Sequence, residues 1–151
     1  MSDVVALLRA ALGDAVSTDA ATLDALRSDK SGQRTDAAPL ALVAARTVEQ
    51  VQAALRIANE HGVPVVPRGA GTGLSGGAMA GAGELVLSTA AMARILQIDD
   101  VDQLAVVEPG VLNGDLNRAL AAHGLRWAPD PASREISTIG CNISTNAGGL
   151  L

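Results

Sequence analysis

The sequence contains neither phenylalanine nor tyrosine, and it has one tryptophan (Trp127), one lysine (Lys30) and one cysteine (Cys141). Each scarcity excludes something. Without an aromatic platform, unpaired bases have nothing to stack on, which argues against single-stranded nucleic-acid binding. With one lysine, scattered arginines and a net charge of −5, no basic patch can neutralise a phosphate backbone, so no nucleic-acid partner is expected. A single cysteine leaves no internal disulfide and no thiolate zinc cluster. No apolar run approaches the ~18 residues of a membrane-spanning helix. Asp3 comes early and no basic segment precedes an apolar one, so no secretory signal is expected. These absences predict a soluble, cytoplasmic protein; the sequence carries no mark of oligomeric state.

What is present is aliphatic. Hydrophobic residues make up 48% of 151 residues, enough for one domain whose core packs alanine, valine and leucine. Residues 2–12 read as an amphipathic helix through Val4, Val5, Leu7, Leu8 and Leu12, and Asp19 to Leu26 as a second. Residues 27–39 are polar and aperiodic, a predicted loop. Leu40 to Ala44 reads as a buried strand. Thr47-Val48-Glu49-Gln50 is a capping box that opens a helix with Val48, Val51, Leu55 and Ala58 at helical spacing, ended by Gly62.

Strands are predicted at Val63 to Pro67 and Glu84 to Ser88, with a glycine-rich loop between them. Ile95 to Ile98 and Leu104 to Val107 flank the acidic turn Asp99-Asp100-Val101-Asp102 as a hairpin. That turn reads as solvated surface rather than a metal site. Leu112 to His123 is a further helix, ended by Gly124. The stretch from Pro129 to Gly149 shows no helical pattern. Hairpin and crossover signals together predict an α+β fold. His61 and His123 stand beside Gly62 and Gly124, where a histidine caps a helix C-terminus, and both read as structural. No catalytic residue and no metal ligand is assigned.

The most informative segment is Pro67-Arg68-Gly69-Ala70-Gly71-Thr72-Gly73-Leu74-Ser75-Gly76-Gly77. Glycine permits positive φ and close approach of backbone to a ligand. Successive N–H groups then form a concave anion site, with Thr72 and Ser75 adding hydroxyls. The alternative is an ordinary glycine-rich surface turn. Three other motifs compete. Gly71 to Gly76 fits G-x-G-x-x-G, but that fingerprint must open a helix, and a strand follows here. Gly73 to Gly77 fits the G-x-S-x-G nucleophile elbow, with Ser75 as nucleophile and His123 as base, but it too needs a strand leading straight in and a helix leading out. A Walker loop needs a lysine that is missing. A second polar, glycine-bearing stretch runs through Pro129-Asp130-Pro131-Ala132-Ser133 and Ser137-Thr138-Ile139-Gly140-Cys141-Asn142 to Gly149. Its hydroxyls and amides suit the ribityl and pyrophosphate parts of a flavin.

These two loops, with Val107-Glu108-Pro109-Gly110-Val111 between them, resemble the PCMH-type FAD-binding domain of the vanillyl-alcohol oxidase and p-cresol methylhydroxylase superfamily. The branch resembled holds glycolate oxidase D subunits and FAD-linked D-lactate dehydrogenases. The family's P-R-G-x-G-T-x-L-S-G-G, V-x-P-G-V, P-D-P-x-S, T-I-G-G-N and N-A-G-G segments occur in order, over roughly residues 29–151. The resemblance implies a non-Rossmann α+β domain over residues 27–151, behind helices in residues 1–26. It implies FAD as cofactor and a 2-hydroxy acid as substrate. It places Pro67, Arg68, Gly69, Ala70, Gly71, Thr72, Gly73, Leu74, Ser75 and Gly76 on the FAD diphosphate. It places Pro129, Asp130, Ser133, Thr138, Gly140 and Asn142 along the diphosphate, ribityl chain and flavin ring. Covalent members carry a histidine where Thr72 stands, which implies dissociable FAD.

One departure is Cys141, where the family has a second glycine; its Cβ would crowd the site if φ there were positive. The sequence stops at Gly149-Leu150-Leu151 inside the second loop. The expectation is therefore a portion of a longer protein, without turnover of its own, whose substrate domain, catalytic base and metal ligands follow. Poor solubility or self-association is the companion expectation.

Overall fold

The computed structural model describes residues 2–149 of the chain. Helix α1 (Ser2–Leu12) buries Val4, Leu8 and Leu12, one residue per turn along a single stripe. A 3-10 turn at Gly13–Ala15 leads into β1 (Val16–Ser17), and α2 (Ala20–Ala25) follows, capped by the Asp19 carboxylate accepting from the Thr22 amide. Strand β2 (Ala41–Ala44), helix α3 (Val48–Glu60) and strand β3 (Val65–Arg68) make a crossover unit, and β4 (Leu85–Ser88) inserts between the two strands. The sheet order is β1-β2-β4-β3, with β1 antiparallel and the rest parallel.

The sheet is covered on both faces, and its register sorts the side chains. Ala41, Val43, Val65, Leu85 and Leu87 turn toward α1 and α3; Leu42, Val66 and Val86 turn toward Leu23, Leu26 and Ala80. The α3 stripe differs from the expected one. Val51, Ala54 and Ala58 face the sheet, while Val48 and Leu55 are exposed. Ala54 and Ala58 let the helix lie close to the strands, Val51 and Ile57 pack beside them, and Val48 and Leu55 stay outside. The Thr47 hydroxyl accepts from the Gln50 amide as expected, but Gln50 reaches back to the Arg46 amide, one residue before the cap. Gly62 ends the helix with φ +63.

A second unit forms on β5 (Ile95–Asp99) and β6 (Leu104–Val107), an antiparallel hairpin. The Asp99 carboxylate accepts from the Val101 and Asp102 amides and so closes the acidic turn locally. Ile95, Ile98, Ala105 and Val107 pack on Leu116 and Leu120 of α4 (Asn113–Ala121). Glu108 anchors the hairpin: its carboxylate accepts from the Arg94 amide at 2.8 Å and from the Arg94 guanidinium at 2.7 and 3.0 Å. Those bonds hold the Glu108 carboxyl below its ordinary pKa.

The aperiodic reading of residues 129–149 needs correction. Residues Ile139–Ser144 form a helix, α5, with the Thr138 hydroxyl accepting from the Cys141 amide. Six residues are too few for a visible stripe, and the helix buries a polar residue, Asn142, beside Ile139. Strand β1 was likewise not expected; two residues carry no alternation to read. No helix among the described residues is long and apolar enough to cross a membrane.

Candidate functional site

Strand β3 delivers the chain to the first loop at the edge of the sheet, and β4 takes it back. Between them lie seven glycines in the sixteen residues 68–83. Among the described residues, no protein group accepts from any backbone N–H between Gly69 and Gly77. Consecutive amides left open in this way are the donors of an anion site. Two glycines are required by geometry. Gly71 is buried at φ +68, and a Cβ there would run into the Arg68 guanidinium; a Cβ on Gly69 would lie 2.5 Å from Thr138 Oγ1.

Arg68 turns its side chain across the loop's base. Its Nη1 donates to the carbonyls of Ser28 (3.0 Å) and Ala78 (2.6 Å). Nε and Nη2 have no protein acceptor among the described residues. Burial lowers the Arg68 pKa, and the Asp29 carboxylate opposes that shift.

The second loop is built differently. Asn113, with no exposed surface, donates through Nδ2 to the Pro129 carbonyl at 2.9 Å and to Asn142 Oδ1 at 3.0 Å. Asn142 Nδ2 in turn donates to Ser137 Oγ at 3.1 Å. Asn117 donates to Asn113 Oδ1 and accepts from the Trp127 amide. The Asp130 amide donates to the Gly148 carbonyl. Gly149, at φ +97, stacks against Asp130 where a Cβ would collide. Asn146 takes the left-handed φ of 50 that ends α5.

The two loops face each other across a cleft of about 600 Å³, within the usual range for a cofactor site. Of the residues expected there, Pro67, Arg68, Gly69, Gly71, Thr72, Gly73, Leu74, Ser75, Ser133, Gly140 and Asn142 line it. Ala70 and Thr138 instead line a smaller neighbouring cavity of about 340 Å³. Gly76, Pro129 and Asp130 are not on the cleft wall; the last two close the second loop from behind. The wall also includes Gly77, Ala78, Thr89, Pro109, Pro131, Cys141, Ser144, Thr145 and Ala147, which sequence reasoning did not single out as contacts.

Arg68 is the one charged residue on that wall among the described residues. An anionic ligand would therefore be held chiefly by amides and hydroxyls. The donor set fits a dinucleotide diphosphate: a glycine cradle with no side chain in the way, two hydroxyls and one partly buried guanidinium.

Cys141 proves unstrained. It sits in helix α5, and its φ is not positive. Gly140 is the position that must be glycine, because a Cβ there would lie 2.7 Å from the Pro109 side chain and 3.0 Å from its carbonyl oxygen. Neither competing motif finds its context. The residues after Gly76 form a turn and then β4, so no helix follows the G-x-G-x-x-G or G-x-S-x-G segment. His61 and His123 are both absent from the cleft wall; His123 Nδ1 lies 3.9 Å from Asp100. No group of three or more potential metal ligands occurs among the described residues.

Comparison with known proteins agrees with this geometry. The FAD binding domain family matches residues 39–151. Glycolate oxidase subunit GlcD of Bacillus subtilis is 47% identical over 112 residues, covering 74% of this chain and 24% of that protein. D-2-hydroxyglutarate dehydrogenase of Stutzerimonas stutzeri is 44% identical over 135 residues, covering 89% of this chain and 29% of that protein. Among solved structures, p-cresol methylhydroxylase with substrate bound superposes with a TM-score of 0.75 at 30% identity, over 90% of this chain and 27% of that one. The chain thus spans under a third of the length of these relatives. The chain belongs to the FAD-binding domain family and has the α+β fold of its p-cresol methylhydroxylase-type members.

Proposed function

We propose that the chain holds non-covalent FAD for a cytoplasmic oxidoreductase that oxidises a 2-hydroxy acid of the glycolate or D-lactate type. The observation that carries this reading is the run of unbonded amides from Gly69 to Gly77 on the wall of a 600 Å³ cleft. The relatives supply the substrate class, since glycolate and D-2-hydroxyglutarate are both 2-hydroxy acids. Residues 27–151 form the FAD-binding unit, behind the helices of residues 1–26.

In this reading the Gly69–Gly76 amides, with Thr72 and Ser75, neutralise the diphosphate by hydrogen bonding rather than by mobile cations. Arg68 adds charge from the base of the loop. Ser133, Gly140 and Asn142 form the opposing wall, held in place by Pro129, Asp130 and Thr138. When bound there, flavin would supply the electron sink for hydride removed from the substrate carbon that carries the hydroxyl. Thr72 offers no imidazole for attachment, so denaturation releases free FAD. Flavin that stayed with the denatured polypeptide on reversed-phase separation would contradict this.

A second reading rests on a specific observation: no carboxylate or imidazole lines the cleft among the described residues. The proton of a substrate hydroxyl then has no acceptor there, and this chain binds flavin without turnover of its own. Oxidation of D-lactate or glycolate with an artificial electron acceptor, assayed on residues 1–151, separates the two. Turnover excludes the second reading; flavin uptake without turnover supports it.

A further inference from the structure

Residues 28–35 precede the segment matched by the family, yet they hold the first loop from outside. The Arg68 guanidinium joins the Ser28 carbonyl to the Ala78 carbonyl. The Asp29 carboxylate accepts from the Ser31 amide at 2.9 Å and from the Ala78 amide at 3.4 Å. The Thr35 hydroxyl reaches the carbonyl of the buried Ala80 at 2.8 Å, and the Ala80 amide donates to Leu26. The loop itself contributes little: a Gly76–Met79 turn, a Gly81–Glu84 turn and the Glu84 carboxylate bond to Gly81.

We propose that this arm, through Asp29 and Thr35, fixes the shape of the Gly69–Gly77 loop before ligand arrives, making both of them positioning residues for FAD. The proposal rests on the FAD reading above. A segment with seven glycines in sixteen residues has an unusually large conformational entropy when untethered. Ordering it at the moment of binding subtracts directly from affinity; a loop already ordered avoids that loss. The arm leaves the amides open because it bonds to Ala78 and Ala80, beyond them, and to the Arg68 side chain beneath them. Neither Asp29 nor Thr35 lines the cleft; Thr35 acts on the ligand through the loop, and Asp29 through the loop and through its attraction to Arg68.

The test compares D29A, T35V and T35S with the parent protein and with R46A, which removes only a surface pair with Asp14. FAD affinity is read by fluorescence titration, and bound FAD by phosphorus NMR and visible absorbance. D29A and T35V are expected to weaken FAD about tenfold and to shift the diphosphate phosphorus resonances. The flavin absorbance band stays in place, R46A binds as the parent does, and T35S recovers the lost affinity because it restores the hydroxyl. Parent-like affinity and phosphorus resonances in both D29A and T35V would overturn the arm's role while leaving FAD binding intact. A parent protein that takes up no FAD would overturn both.

Discussion

The two walls of the cleft solve opposite problems. The first loop leaves its backbone donors open and is held from behind by another segment. The second pairs its buried side-chain amides internally, through Asn113, Asn142 and Ser137, and so holds its shape through its own bonds. One wall is therefore built to take its missing partners from a ligand, the other to stand without one. Variants in the buried network of the second loop should act on the fold, and variants in the first loop should act on the ligand.

The largest effect is expected at Asn113. N113A strands Asn142 Oδ1 inside the protein and removes the donor to the half-buried Pro129 carbonyl. Stability should fall by about 2–4 kcal/mol, since each buried group left unpaired loses its compensation. Denaturant unfolding of the apo protein measures it, and a loss under about 0.5 kcal/mol would mean the network is not structural. G140A comes next. Overpacking against Pro109 should cost about 1–3 kcal/mol, visible as a lower melting temperature.

G73A sharpens the contrast from the other side. A Cβ at Gly73 meets nothing within 4 Å, and the backbone there is not left-handed. Apo stability should stay put while FAD affinity falls about tenfold or more. If G73A lowered the melting temperature and left FAD affinity alone, the division between the two walls would be wrong.

Acid should loosen the hairpin. The Arg94 bonds lower the Glu108 pKa in the folded state. The stabilisation they give is fully present above the ordinary carboxylate pKa and is lost as pH falls through the lowered folded value. E108Q should flatten that acid limb in a pH series of melting curves. The smallest effect is expected at Cys141, where C141A in an unstrained helix should change stability by less than about 1 kcal/mol.

Much of this was legible in the sequence because it depends on local chemistry. Glycine spacing announced the open loop, and Thr47 and Gly62 bracketed α3. The Ile95–Val107 hairpin followed from two apolar runs on either side of an acidic turn. What stayed hidden depends on partners distant in sequence. Asn113 reads as an ordinary polar residue at the start of a helix, and only the fold brings it to Asn142, 29 residues on. Helix α5 was missed because its buried face carries an asparagine. The α3 stripe is half legible: Val51 and Ala58 meet the sheet as expected, but Ala54 takes the place that Val48 and Leu55 leave. The arm at 28–35 looked like featureless loop because its bonds run to Arg68, Ala78 and Ala80.

In the proposed function, open main-chain amides of the first loop hold a dinucleotide diphosphate. Calorimetric titration of the protein with FAD, in parallel with G73A, tests it most directly. Saturable uptake of one FAD per chain by the parent is expected, with clearly weaker uptake by a G73A protein that melts at the same temperature. Absence of FAD uptake by folded parent protein, or equal affinity in the two, would contradict it.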